Sequence, residues 1–442
     1  MAEPRYWDIR HVEGAVTHVD IDNGVVESAG TSFFNRALLR VLGEHGWGVL
    51  TIENYASCSE KEIRDYIGRA LQLARVTEED VVLADAPSGM LPVPPLAEDP
   101  RDVSLEEKCG LLAGIEAAAR LPGIASTRGR YTEDEGRVHF RDSSGNEYEY
   151  ALCRSGFSVL AVARRGELMQ MGRESEHTLS GLNLRHRQDM GRTAAERALA
   201  LLDARPAKGG RMRALLDPEL AGVFAHEAIG HASEGDLVKE GASIIKGRIG
   251  ERIGNEILNI VDDPTLPEFG FEPVDAEGVA VARTEIIRNG VLSSYLHDRQ
   301  TLAAVGDGIA GHARAVPGDV PVVRMSNTYI ENGDASFDEL LEACGTGILL
   351  AGSRGGQVDP GRGVFQFNAE YGYIVENGEL GAMVRDVSLS GEILSTLHAI
   401  VLCGNDRKMH QGYCGKAGQS VPVSDGAPHV LLEEAVVGGS GA

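Results

Sequence analysis

Apolar and polar residues alternate along the first part of the chain, as in Ala15-Val-Thr-His-Val-Asp-Ile-Asp22, and the alternation runs into Asn23-Gly24. Side chains of a strand point to opposite faces in turn, and Asn-Gly favours the positive φ angles of a tight hairpin, so residues 11–30 predict strand, turn, strand. Residues 46–52 predict a further strand. Ile63, Ile67, Ala70, Leu71 and Ala74 keep helical spacing, which predicts a helix over 60–75 capped by Ser57 or Ser59. Five prolines between 87 and 100 predict a loop. Ser104, with Glu107 three residues on, starts a second helix that runs to about Arg120. Strands are expected at 123–130, 136–142 and 147–164, and a helix at 192–204.

The pattern changes after Gly209-Gly210. Asp217-Pro218 opens a helix over roughly 218–232. Beyond about 250 come short apolar runs broken by turn signals such as Asn289-Gly290 and Asn377-Gly378. That pattern predicts hairpins in a curled antiparallel sheet. The expected class is α+β: an N-terminal mixed α/β domain (1–205), then a mainly antiparallel, curled-sheet or barrel-like domain (206–442) carrying the helix at 218–232.

Bulk properties narrow the function. A chain of 442 residues with 43% hydrophobic content is long enough for a large core. The net charge of −24 argues against nucleic-acid binding, because phosphates are repelled. Six cysteines are scattered without a Cys-x-x-Cys pair, which fits reduced thiols. No apolar leader opens the chain and no run of about 18 apolar residues occurs, so the cytoplasm is the expected compartment.

The candidate chemistry lies in Ala225-His226-Glu227-Ala228-Ile229-Gly230-His231-Ala232-Ser233-Glu234-Gly235-Asp236. The familiar zinc-protease helix has histidines four apart on one face. Here they are five apart. On a regular α-helix five residues turn about 500°, which leaves the two rings roughly 140° apart. A π-bulge would realign them, or the helix could end near Gly230 and let His231 swing in. A catalytic metal needs a third protein ligand and an open position. Glu234 and Asp236 are near in sequence. Cys414 is distant, in the glycine-rich run Gly412-Tyr413-Cys414-Gly415-Lys416-Ala417-Gly418-Gln419, where the backbone can approach a site closely. Glu234 and Asp236 could equally orient a histidine or cap a helix end. His410 could line the site. His297, His312 and His398 read as structural or exposed, Cys344 and Cys403 as core thiols, Arg354-Gly355-Gly356 as a tight turn or a groove wall, and the acidic stretch 97–107 as solvated surface.

Taken together, His226-Glu-Ala-Ile-Gly-His231 with Glu234-Gly235-Asp236, and Cys414-Gly-Lys-Ala-Gly-Gln419-Ser-Val-Pro422, resemble the motif-bearing TldD branch of the TldD/PmbA metallopeptidases. Tyr295-Leu-His-Asp-Arg299 and Arg324-Met-Ser-Asn327-Thr add to the likeness. The resemblance implies His226, His231 and Cys414 as metal ligands and Glu227 as general base. It implies Zn2+, with Fe2+ as the alternative metal. It also implies pairing with a PmbA-type (TldE) paralogue or a second copy around an inner chamber. Short or unfolded peptides would enter as an added strand, leader peptides of modified peptide products among them. The competing expectation is a non-catalytic, chamber-forming binding module; a metal amidohydrolase acting on a non-peptide amide is a weaker third.

Overall fold

The computed structural model describes residues 3–440. Its first part is a six-stranded antiparallel sheet in the order β3-β2-β1-β4-β5-β6. These strands are β1 (Tyr6–Asp22), β2 (Val25–Leu42), β3 (Trp47–Glu53), β4 (Ile124–Asp142), β5 (Glu147–Arg165) and β6 (Leu168–Thr178). The Asn23-Gly24 hairpin forms as the sequence predicts, but its strands are far longer. The added length of β2 lies beyond residue 30 and ends in Ala37–Leu42, buried without a break, so burial there does not alternate. Strands expected at 123–130 and 136–142 are one strand, β4. The acidic run Glu133-Asp134-Glu135 does not interrupt it, because both backbone edges pair, with β1 and with β5.

Three helices cover this sheet. α1 (Glu60–Leu73) starts at a full capping box in which Ser59 and Glu62 satisfy each other's backbone N–H. It buries Ile63, Ala70 and Leu71 against the sheet. α2 (Leu105–Ala118) is capped by Ser104 as expected. The Glu107 carboxylate leaves the box for Arg185, which also holds Glu98, so the acidic loop is tied down rather than only solvated. α3 (Gln188–Asp203) lies along β5 and β6. It approaches so closely that a Cβ at Gly172 would sit 2.0 Å from the Ala194 carbonyl oxygen. Ala194, Ala198 and Leu202 then fill the interface with Tyr131, Phe157 and Val159.

The later part holds two larger sheets, and neither closes into a barrel. In one, Val430–Gly439, Gly210–Leu216 and Gly347–Ala351 lie at the centre of a ten-stranded assembly. The other, of six strands, runs Val291–Leu292, Thr284–Arg288, Ile260–Asp262, Asn327–Ile330, Gln419–Ala427 and Lys408–Lys416. Most pairings are antiparallel, including the expected turns at Asn289-Gly290 and Asn377-Gly378. Gly210–Leu216 with Gly347–Ala351, and Asn327–Ile330 with Gln419–Ala427, are parallel. The segment 218–233, with α4 (Pro218–Phe224) at its start, lies buried between these sheets: Leu220, Ala221, Phe224, Ala225, Ala228 and Ile229 are all fully inaccessible.

Buried charges join the first sheet to the later part. Arg40 on β2 pairs with Asp8 at 2.5 Å and with Glu277 at 3.0 Å. Arg154 on β5 donates to the carbonyls of Phe269 (3.1 Å) and Phe271 (2.6 Å). Buried guanidinium groups persist only where such partners offset desolvation. Among the described residues no helix is long and apolar enough to cross a membrane.

Candidate metal centre

The helix predicted over 218–232 forms in three pieces. Asp217 caps α4 by accepting from Leu220 N, with Pro218 at the first helical position. From Ala225 to Gly230 the helix widens into a π-helical turn, in which His231 N–H donates to the His226 carbonyl. A short 3-10 turn, His231–Ser233, ends it. The π turn inserts one residue, so side chains five apart meet as side chains four apart meet in an α-helix. The two imidazole rings lie 5.3 Å apart, centroid to centroid, with planes at 87°. Gly230 leaves room for Met325 beside this turn, because a Cβ there would sit 1.8 Å from Met325 Sδ.

Cys414 arrives from the outer strand Lys408–Lys416. Its Sγ lies 3.4 Å from His231 Nε2, and the donor atoms of His226, His231 and Cys414 all fall within 4.8 Å of one another. Metal–ligand bonds of about 2.0–2.3 Å in a tetrahedron place ligand atoms roughly 3.3–3.8 Å apart, so these donors need to close by no more than about 1.5 Å to hold one ion. His226 Nδ1 is buried with no hydrogen-bond partner among the described residues. Burial alone would push the Cys414 thiol up, yet the two imidazoles pull it down to about 4, the thiolate form a soft metal requires. Burial likewise opposes charge on both histidines. Glu234 with Cys414 outweighs it at His231 and Cys414 outweighs it at His226, so both pKa values rise.

Glu227 projects beside the cluster. Its Oε2 is 3.9 Å from His231 Nε2 and its side chain is 34% exposed, the most open group of the set. Glu234 does not cap the following helix; its Oε2 accepts from His231 Nδ1 at 3.0 Å. Burial would raise the Glu234 carboxyl, but His231 and Lys416 hold it below the usual carboxylate range. Lys416 Nζ reaches Glu234 at 3.0 Å and Asp236 at 2.6 Å. Fully buried Arg324 donates to the Cys414 carbonyl.

Other sequence candidates fall elsewhere. His410 shares the strand of Cys414 and stands opposite Asp425, but is not among the three clustered donors. His297 is buried on Thr301 and the Gly306 carbonyl, His312 lies 3.6 Å from Asp262, and His398 is exposed. Cys344 and Cys403 are core thiols, Cys403 pushed up to about 12 by burial. Arg354-Gly355-Gly356 forms no tight turn: Arg354 N–H and the Gly355 carbonyl bond to Asn368, Gly355 has φ 78°, and Gly356 opens the strand Gly356–Asp359. Sequence reasoning passed over Lys416, Arg324 and Asp425, whose carboxyl burial raises to about 7. Period-two spacing from Cys414 was the available signal for Lys416.

Two imidazoles and one thiol drawn together with an accessible carboxylate beside them form a group that could hold a metal ion. Family models agree along the chain: the PmbA/TldA metallopeptidase C-terminal domain matches residues 209–439, the central domain 98–202, and domain 1 residues 7–74. The protein belongs to the PmbA/TldD metallopeptidase family. A protein of Archaeoglobus fulgidus named metalloprotease is 41% identical, over 99% of this chain and 100% of its own length. A Saccharolobus solfataricus protein named zinc metalloprotease TldD homolog is 36% identical, over 72% of each chain. These names support a metal-dependent peptidase in general. Among solved structures, TldE from Thermococcus kodakarensis superposes with a TM-score of 0.78 at 18% identity, covering 98% of this chain and 96% of that one. A Thermotoga maritima protein whose name ties it to DNA gyrase gives 0.82 at 23%, covering 98% and 96%. At those identities the likeness concerns the fold.

Proposed function

We propose that the protein is a metal-dependent peptidase in which His226, His231 and Cys414 hold one zinc ion, or iron in its place, and Glu227 is the general base. The observation that carries this reading is the meeting of three soft-to-borderline donors within 4.8 Å, from segments 183 residues apart, with Glu227 beside them. When bound, the ion supplies Lewis acidity that polarises a carbonyl and acidifies a water molecule. Glu227, open to solvent, takes the proton of the attacking water and returns it to the leaving amine.

The substrates proposed are short or unfolded peptides. Cys414 sits on the outermost strand of its sheet, and an extended peptide can pair with such an edge through main-chain hydrogen bonds. A folded protein cannot offer extended backbone there without unfolding first. A PmbA-type paralogue or a second copy would complete the enclosure; the whole-chain likeness to TldE supports a partner of the same fold.

The test is a random peptide mixture read by mass spectrometry, with and without a PmbA-type partner. Peptides should be cut and stable globular proteins spared. Glu227→Ala should lower the rate about 10²–10⁴-fold while metal content stays unchanged. Equal cleavage of folded proteins would overturn the edge-pairing account. No cleavage under any pairing would favour a non-catalytic binding module.

A further inference from the structure

We infer that Lys416 is a positioning residue for the proposed metal centre: its ammonium fixes the Glu234 carboxylate that orients His231. The inference rests on the metal-centre reading above.

Lys416 follows Cys414 by two residues on the same strand, so both side chains leave the same face of the sheet. Glu234 and Asp236 follow His231 by three and five residues. Lys416 therefore ties the strand that carries the thiolate to the segment that carries the imidazole. Its Nζ reaches Glu234 Oε2 at 3.0 Å, Asp236 Oδ2 at 2.6 Å and the Val323 carbonyl at 3.0 Å. An ammonium has three protons, and these three acceptors engage all of them. The group is thus held in one place, unlike a lysine swinging at a surface.

Its main effect falls on Glu234. That side chain is fully buried, and a buried carboxylate is costly unless paired. Its Oε1 has no partner, so Oε2 carries both interactions: it accepts from His231 Nδ1 at 3.0 Å and from Lys416. A carboxylate that accepts from the Nδ1–H of a neutral histidine holds the tautomer whose Nε2 is bare, and Nε2 is the atom that faces Cys414 Sγ. Lys416 also offsets local charge. Cys414, Glu227, Glu234 and Asp236 place four acidic groups in this small region. One lysine lowers their mutual repulsion. His226 has no comparable brace, since its Nδ1 is unpartnered. His231 is the imidazole whose orientation depends on Lys416.

The experiment is a Zn2+ titration against a chromophoric chelator on the full chain. The proteins are wild type, Lys416→Met, Lys416→Arg, Glu234→Gln and the double variant Lys416→Met/Glu234→Gln. Lys416→Met should weaken Zn2+ binding roughly 10–100-fold, and Lys416→Arg should recover part of the loss. The double variant should bind little worse than the weaker single one, because both substitutions break the same connection. A merely structural lysine would lower the melting temperature of the metal-free protein without coupling to Glu234 in affinity. If Lys416→Met does not fold, Lys416→Gln, which keeps a hydrogen-bond donor without the charge, should show the same loss and the same coupling. Wild-type affinity in the Lys416 variant, or losses that simply add, would overturn the inference. Absence of Zn2+ binding by the wild type would overturn the metal-centre reading itself, so the two failures are distinguishable.

Discussion

The first sheet and the metal-bearing region are built on opposite principles. Strands β1 to β6 are long, antiparallel and mostly joined to sequence neighbours, and their helices dock through small residues such as Ala194 and Ala198. In the region of the proposed metal centre a π-helical turn and parallel joins meet, and its key contact spans 183 residues. The first region follows local pattern rules almost throughout. The second breaks them where the proposed chemistry sits, as expected when a site is held against local preference by its surroundings. Stability and metal affinity should therefore respond to different substitutions.

Leu39→Ala should produce the largest separation. Leu39 is fully buried between the first sheet and α1, and its truncation should cost about 2–5 kcal/mol in urea unfolding. Zn2+ affinity of the folded fraction should not change. A matching fall in affinity would show that the two regions are coupled more tightly than their packing indicates.

Gly230→Ala should act on both quantities. The added methyl meets Met325 Sδ, so overpacking should cost about 1–3 kcal/mol and disturb the π turn that aligns His226 with His231. Gly230→Ala/Met325→Ala should regain affinity that the single variant loses. An unaltered affinity in Gly230→Ala would mean that the widened turn does not set the ligand geometry.

The junction between the regions gives the smallest effect. His177 packs against Phe269 and Tyr413 (ring centroids 5.1 and 5.8 Å), and burial pushes its pKa down to about 4. Between about pH 4 and 6.5 the unfolded chain binds more protons at this histidine than the folded one. Its contribution is therefore complete above pH 6.5 and is lost as pH falls toward 4. The loss should appear in metal-free protein as stability that falls with pH across that window. His177→Gln should flatten that part of the stability–pH profile; an unchanged slope would place the acid sensitivity elsewhere.

The contrast also explains what the sequence could show. Ser59 and Ser104 declare their helices by side-chain chemistry, and Asn23-Gly24 declares its hairpin. The part of β2 beyond residue 30 and all of β6 were missed. β2 ends in Ala37–Leu42, buried without a break, and β6 alternates only weakly. At the site, the five-residue spacing of His226 and His231 already demanded a distorted helix, and the π turn supplies it. Arg324 was not legible as a site group, because its partner lies far off in sequence, and Lys416 offered only its period-two spacing from Cys414. Nothing local marks Lys416 as the holder of Glu234, or Arg324 as a donor to the Cys414 carbonyl.

The central claim is that two imidazoles and one thiolate from distant segments form a single metal centre. Metal content per chain, measured by elemental analysis on wild type and Cys414→Ser at equal folded concentration, tests it most directly. About one zinc or iron ion per wild-type chain is expected. In Cys414→Ser the expected result is affinity lower by orders of magnitude with the fold retained, because a hydroxyl is a far poorer ligand than a thiolate. Full occupancy in Cys414→Ser would remove Cys414 from the ligand set and contradict the account.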